Sequence, residues 1–229
     1  AYDASSGADG FISIEVEADL AFDTPNTVTR AQDLAKAVDR PNVLVKVPGT
    51  KPGVESVRQL TAAGISINVT LLFSVERYRE VAEAYVAGMA ERLEAGLPVT
   101  GIQSVASFFV SRIDTKVDAL LPEDSPLRGR TAVANAKLAY ADVYQAVFDH
   151  DPRWAAVEAA GGARQRPLWA STSTKNPAYP PCIYVDELIG PDTVNTVPDA
   201  TLDAFRTQGD PAPRLTEDVD GARAVLQGI

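Results

Sequence analysis

The sequence predicts an α/β fold with parallel strands, a barrel of the (β/α)8 type, and three observations lead to it. Short alternating apolar segments and helical segments succeed one another six times, and such succession builds parallel strands joined by helical crossovers. Polar residues gather near the C-terminal ends of the strands, namely Glu15, Lys46, Asn68, Thr70 and Ser107, on the face opposite the best apolar alternation. A barrel of this type collects its active groups there. The 229 residues, 45% of them hydrophobic, suffice for a single domain over residues 1–229 with a sizeable core. Solvent faces of an antiparallel sheet would also leave polar residues on one side, but the helical connectors oppose that arrangement.

Phe11 to Val16 alternates cleanly after Gly10 and reads as a strand. Pro25 to Asp39 carries Val28, Ala31, Leu34, Ala35 and Val38 at helical spacing behind a Thr-Pro-Asn start. Val43 to Val47 is the second strand, followed by a helix from about Gly53 to Ala62 that Gly64 ends. Ile65 to Thr70 repeats the alternation, and Ser74 caps a long helix reaching Ala95. Ile102 to Ser107 is the fourth strand, and Phe108–Leu121 and Arg130–His150 read as helices. A short helix over Asp151–Ala160 precedes a strand at Leu168 to Ser171, and Asp192 to Thr196 forms the last, weaker strand. The connectors Pro181–Ile189 and Asp199–Thr207, and the tail segment Asp218–Leu226, have helical spacing.

One strand contains an unusual residue. Lys46 interrupts the apolar run Val43-Leu-Val-Lys46-Val-Pro-Gly-Thr50, sharing a face with Leu44 while Val43, Val45 and Val47 share the other. A lysine turned into a sheltered interior tends to lose its proton, and the neutral amine condenses with carbonyls. The bland alternative is a partly solvated strand lysine. Lys36, Lys51, Lys116 and Lys137 fall on helices or loops where solvated charge explains them.

Other chemistries find little support. A net charge of −10 without a long basic run argues against nucleic acid or an anionic membrane as partner. Cys182 is the single cysteine, so no internal disulfide forms, and no apolar run approaches membrane-spanning length. Composition thus points to a reducing, cytoplasmic setting. The lone His150, at a helix end between Asp149 and Asp151, leaves no histidine-based triad or zinc site. Cys182 between Pro181 and Ile183 reads as a packed residue, Trp154 and Trp169 as core or pocket wall, and Gly49-Thr50-Lys51 lacks the spacing of a phosphate-binding loop.

Five ordered blocks resemble the transaldolase family, most closely its longer, actinobacterial-type form. They are Ile12 to Val16, Val43 to Thr50, Ile67 to Ser74, Val105 to Asp114 and Trp169 to Asn176. The resemblance spans nearly the whole chain and implies a TIM barrel of the class I aldolase type. It implies that Lys46 forms a Schiff base with a ketose phosphate and holds the dihydroxyacetone unit until an aldose phosphate accepts it, without cofactor or metal. A protonated imine withdraws electrons from the adjacent carbon, so the C–C bond can break. Glu15 and Thr70 match the pair that positions a water for proton transfer. Asn68 and Ser107 match residues that bind sugar hydroxyls, Phe109 a pocket aromatic, and Arg112 and, on the next strand, Ser173 with Lys175 the phosphate clamp. Lys175 stands where many family members carry arginine, exchanging a planar fork for a point charge.

Family members place two further strand–helix units ahead of this segment, and the first supplies an aspartate that acts as acid/base for C–C cleavage. Asp3 and Asp9 are in the wrong place to be that residue. The expectation is therefore a fragment truncated at both ends, holding six of eight βα units. Its open edges favour homo-oligomerisation or association with a missing segment. Two alternatives stay open: another Schiff-base aldolase on the same barrel, such as a deoxyribose-phosphate or fructose 6-phosphate aldolase, and an inactive fragment that only binds phosphosugars.

Overall fold

The computed structural model describes residues 1–229. Six parallel strands, β1 (Ile12–Glu15), β2 (Val43–Pro48), β3 (Ile67–Leu72), β4 (Ser104–Phe109), β5 (Gln165–Ala170) and β6 (Val194–Asn195), follow one another in the sheet in sequence order. Between them run α1 (Thr24–Val38), α2 (Lys51–Ala62), α3 (Val75–Glu94), α4 (Ser111–Val117), α5 (Thr131–Leu138), α6 (Ala146–His150) and α7 (Pro152–Ala159). The later helices are α8 (Ile183–Asp186), α9 (Asp199–Gln208) and α10 (Val219–Gln227). The fold is a partial (β/α) barrel.

Local chemistry explains the boundaries that matter for the site. Asp23 caps α1 by accepting from Asn26 N, and Pro25 occupies the first turn, where a missing N–H costs nothing. Thr50 Oγ1 accepts from Gly53 N at 3.1 Å and starts α2 directly after β2. Only glycine fits at position 53, because a Cβ there would lie 2.0 Å from the Pro48 carbonyl oxygen. Ser74 Oγ accepts from Arg77 N at the start of α3.

Three segments depart from the sequence expectation. The helix expected over Phe108–Leu121 begins only at Ser111, since Phe108 and Phe109 complete β4 and the Val110 N–H continues the ladder to Ala170 O at 2.9 Å. Buried aromatic residues suit a pleated surface, and neighbouring strands outweigh the helical spacing that follows. The long helix expected from Arg130 to His150 is α5 and α6 joined by a π-helical stretch, Ala139–Gln145. Ser173 and Lys175, expected on a strand, follow the end of β5 at Ala170 and lie in its C-terminal connection.

Internal contacts divide the chain into two compact units. The first comprises Ala1–Leu71, Arg79–Ala106 and Val147–Gln165. Its core holds Trp154 edge-on to Phe148, with ring centroids 4.9 Å apart, and Tyr85 beside both. The Tyr85 hydroxyl donates to Ala163 O at 2.7 Å, and burial pushes its pKa up. The second comprises Leu72–Tyr78, Ser107–Ala146 and Arg166–Ile229. There Phe108 packs between Tyr78 and Trp169, and the Trp169 indole donates to Leu188 O at 3.0 Å. Both tryptophans and Cys182 are buried, as their apolar settings in the sequence indicated. Lys137 is a correction. It is buried on α5, its Nζ 3.0 Å from Glu187 Oε2 and 3.3 Å from Glu217 O.

Candidate active site

The first unit gathers four of the predicted residues. Parallel pairing sets Glu15 opposite Lys46 and Lys46 opposite Asn68, so three strands contribute one row of side chains on a single face. One pleat further on, Thr70 stands opposite Pro48. Lys46 Nζ lies 3.4 Å from Glu15 Oε2. The lysine side chain is 28% exposed and the glutamate 48%, so the amine is partly sheltered at the end of its strand. Asn68 is buried and donates to Ser13 Oγ at 3.0 Å. Ser13 was not singled out in the sequence, although it shares the face of Glu15.

Thr70 has the most telling environment. Its Oγ1 is buried without a hydrogen-bond partner, as are six other side-chain atoms of the chain, and Thr70 is the one predicted site residue among these seven. An orphaned hydroxyl in a row with a carboxylate and an amine can hold a water or a substrate oxygen. The next residue, Leu71, has φ 62° and turns a 43% exposed side chain outward. A bulky L-residue adopts that conformation only where surrounding structure imposes it.

The second unit holds the other five. Ser107 is buried on β4. Phe109 at the end of β4 packs on Phe73, centroids 5.1 Å apart, and the Arg112 guanidinium lies 4.9 Å from the Phe109 ring centroid. This cation–π contact directs the exposed Arg112 from the first turn of α4. After β5, Lys175 Nζ donates to Ser173 Oγ at 2.6 Å. Neither Arg112 nor Lys175 forms an ion pair, in a chain whose net charge is −10. Two exposed cations without acidic partners can recognise an anion. Ser171, which starts this connection, has φ 57° and shares a 3.0 Å hydrogen bond with Ser111 Oγ.

Two cavities open in the second unit. One of about 250 Å³ is lined by Lys175, Asn176, Tyr179 and Tyr184 on one side and Asp114 and Asp118 on the other. The larger, about 490 Å³, lies among residues of α5, α8 and α10 and contains none of the nine predicted site residues. Its buried cation, Lys137, is already paired with Glu187.

The family model for transaldolase/fructose-6-phosphate aldolase matches residues 2–227. A transaldolase of Parafrankia sp. (strain EAN1pec) is 49% identical over 232 residues, 99% of this chain and 62% of the relative. Transaldolase 1 of Streptomyces coelicolor is 53% identical over 214 residues, covering 91% and 56% of the two chains. A Mycobacterium ulcerans transaldolase is 51% identical over 213 residues, covering 91% and 57%. The chain thus spans about three-fifths of the length of the curated relatives it matches. Strand order, the row of Glu15, Lys46, Asn68 and Thr70, and this match along nearly the whole chain agree: the chain belongs to the transaldolase/fructose-6-phosphate aldolase family.

Proposed function

We propose that the protein is a transaldolase acting in the non-oxidative pentose phosphate pathway. It moves a dihydroxyacetone unit from sedoheptulose 7-phosphate or fructose 6-phosphate to glyceraldehyde 3-phosphate or erythrose 4-phosphate. The observation that carries the reading is the register of three strands, which puts Lys46 between Glu15 and Asn68, its Nζ 3.4 Å from the carboxylate. Glu15 takes the proton that the amine must shed before it attacks the ketose carbonyl. The carbinolamine then loses water, with Glu15 and the Thr70 hydroxyl holding that water. In the resulting iminium ion the positive nitrogen draws electrons from the breaking C–C bond, and the aldose leaves. As that bond breaks, the C4 hydroxyl gives its proton to a base outside the row of Glu15, Lys46, Asn68 and Thr70. The acceptor aldehyde reverses the step, and water releases the product.

Asn68 and Ser107 bind sugar hydroxyls, and Phe109 walls the pocket. Arg112, Ser173 and Lys175 bind the phosphate, Arg112 as a planar fork and Lys175 as a point charge. Sugar phosphates are thus the partners, the reaction needs no cofactor, and the setting is cytoplasmic. No helix is long and apolar enough to cross a membrane.

Borohydride reduction tests the covalent step. With fructose 6-phosphate and borohydride, the peptide containing Lys46 should gain the mass of a reduced three-carbon adduct. An unmodified Lys46 would remove the mechanism. Adding erythrose 4-phosphate separates transfer from simple release: sedoheptulose 7-phosphate should form faster than free dihydroxyacetone.

A further inference from the structure

Helix α4 and its C-cap, Asp118, bury a polar stripe. Ser111, Asp114 and Asp118 stand at i, i+3 and i+7, one face of a helix, and are respectively 1%, 1% and 7% exposed. Arg112 stands on a different, exposed face. Every member of the stripe is bonded to the connection that follows β5. Ser111 Oγ meets Ser171 Oγ at 3.0 Å, the Tyr184 hydroxyl donates to Asp114 Oδ2 at 2.8 Å, and the Tyr179 hydroxyl donates to Asp118 Oδ2 at 2.7 Å.

The two carboxylates are used alike. While Oδ2 of each takes a tyrosine, Oδ1 takes a backbone N–H from the segment leading into α5: Ala132 N at 2.7 Å for Asp114, Gly129 N at 3.0 Å for Asp118. Gly129 has φ 70°, and a Cβ there would come within 2.7 Å of the Tyr179 ring. Position 129 is thus shaped both to seat the tyrosine and to donate to its acceptor. Helix stability alone does not call for this arrangement, since burying a carboxylate is costly and the burial raises the pKa of Asp114.

The bonds lie on the two segments that present the unpaired cations. Arg112 leaves α4 one residue after Ser111, and Lys175 stands between Ser171 and Tyr179. We infer that Tyr179, anchored on Asp118, is a positioning residue that holds the Ser173–Lys175 segment against the α4 segment so that Lys175 and Arg112 meet one phosphate group. This rests on the proposed role of those cations as the phosphate clamp. Tyr184 with Asp114 and Ser171 with Ser111 set the remaining points of the same brace. The lysine makes the brace necessary, because a point charge on a flexible stem lacks the self-orienting fork of an arginine.

Tyr179→Phe tests it, since the ring stays on Gly129 and only the O–H is lost. Isothermal titration of fructose 6-phosphate and unphosphorylated fructose is compared between wild type and variant, with melting temperatures measured alongside. The expected result is fructose 6-phosphate binding weakened about three- to tenfold, the value of one hydrogen bond, with fructose binding unchanged and the melting temperature lowered only by the loss of one donor to the buried Asp118 carboxylate. Unaltered fructose 6-phosphate binding overturns the inference, as does equal weakening of both sugars or a wild type that does not distinguish them. A wild type that prefers the phosphorylated sugar but gives no borohydride adduct at Lys46 refutes the Schiff-base reading and leaves the brace standing.

Discussion

Thr70 and Thr50 show how one residue type serves two ends. Thr50 Oγ1 caps α2 and donates to Ala21 O, so its polarity supports the fold. Thr70 Oγ1 is equally close to a strand end but is buried without a partner, and an unsatisfied hydroxyl stabilises nothing. Thr70→Val keeps the volume and removes the hydroxyl. Its melting temperature should equal or exceed that of the wild type, while kcat for dihydroxyacetone transfer falls by about 10²-fold, the scale of a lost proton-transfer partner. A parallel loss of stability and activity would assign Thr70 to the fold. Period-2 alternation was enough to place Glu15, Lys46, Asn68 and Thr70 on one face in advance, because each strand displays its facing in its own pattern. It did not reveal Ser13, whose 3.0 Å bond to Asn68 depends on the register between non-adjacent strands.

At the scale of elements, charged groups divide between surface pairs and a buried one. On α2, hydrogen bonds from Arg58 and Gln59 push the Glu55 carboxyl down to about 2 from the ordinary 4.5. A lowered carboxyl pKa stabilises the folded state above pH 4.5, and that stability is lost as pH falls from 4.5 toward 2. Glu55→Gln should therefore lower stability at pH 7 and match the wild type near pH 2. Because the Glu55 side chain is 46% exposed, the difference at neutral pH should be about 0.5 kcal/mol. Thermal melts across that pH range measure it, and a gap that widens on acidification would contradict the assignment. The Lys137–Glu187 pair behaves differently, with Lys137 8% and Glu187 35% exposed by side chain. Lys137→Met strands the glutamate and should cost about 2 kcal/mol, below the range for a fully buried pair. The further change Glu187→Leu should restore most of the loss, and denaturant titration of both variants decides it. Lys137 could not be placed from its own helix. α5 is buried on nearly every side, so no polar face in the sequence marks which way the lysine points.

At the scale of the whole chain, each unit has its own aromatic centre. Trp154, fully buried against Phe148 and Tyr85, dominates the first. Trp154→Ala should cost about 3–5 kcal/mol by lost burial and an unfilled cavity. A change under about 1 kcal/mol in denaturant titration would show that the site collapses around the smaller side chain. In the second unit, α10 packs Ala222 and Val225 on Ala134 and Leu138 of α5, an association of helices far apart in the chain. What the amino-acid sequence by itself determined was the succession of strands and helices, and with it the barrel class and the row around Lys46. Those follow from local periodicity and from the parallel pairing that alternation imposes. Tertiary structure alone decided that Phe108 and Phe109 finish a strand, that Lys137 is buried, that Ser173 and Lys175 lie beyond β5, and that Asp114 and Asp118 grip Tyr184 and Tyr179. A residue's periodicity reports only the side of its own element that it faces. Its depth and partners are set by chain segments 61 and 70 residues away in the case of those two tyrosines, a distance over which no local pattern carries information.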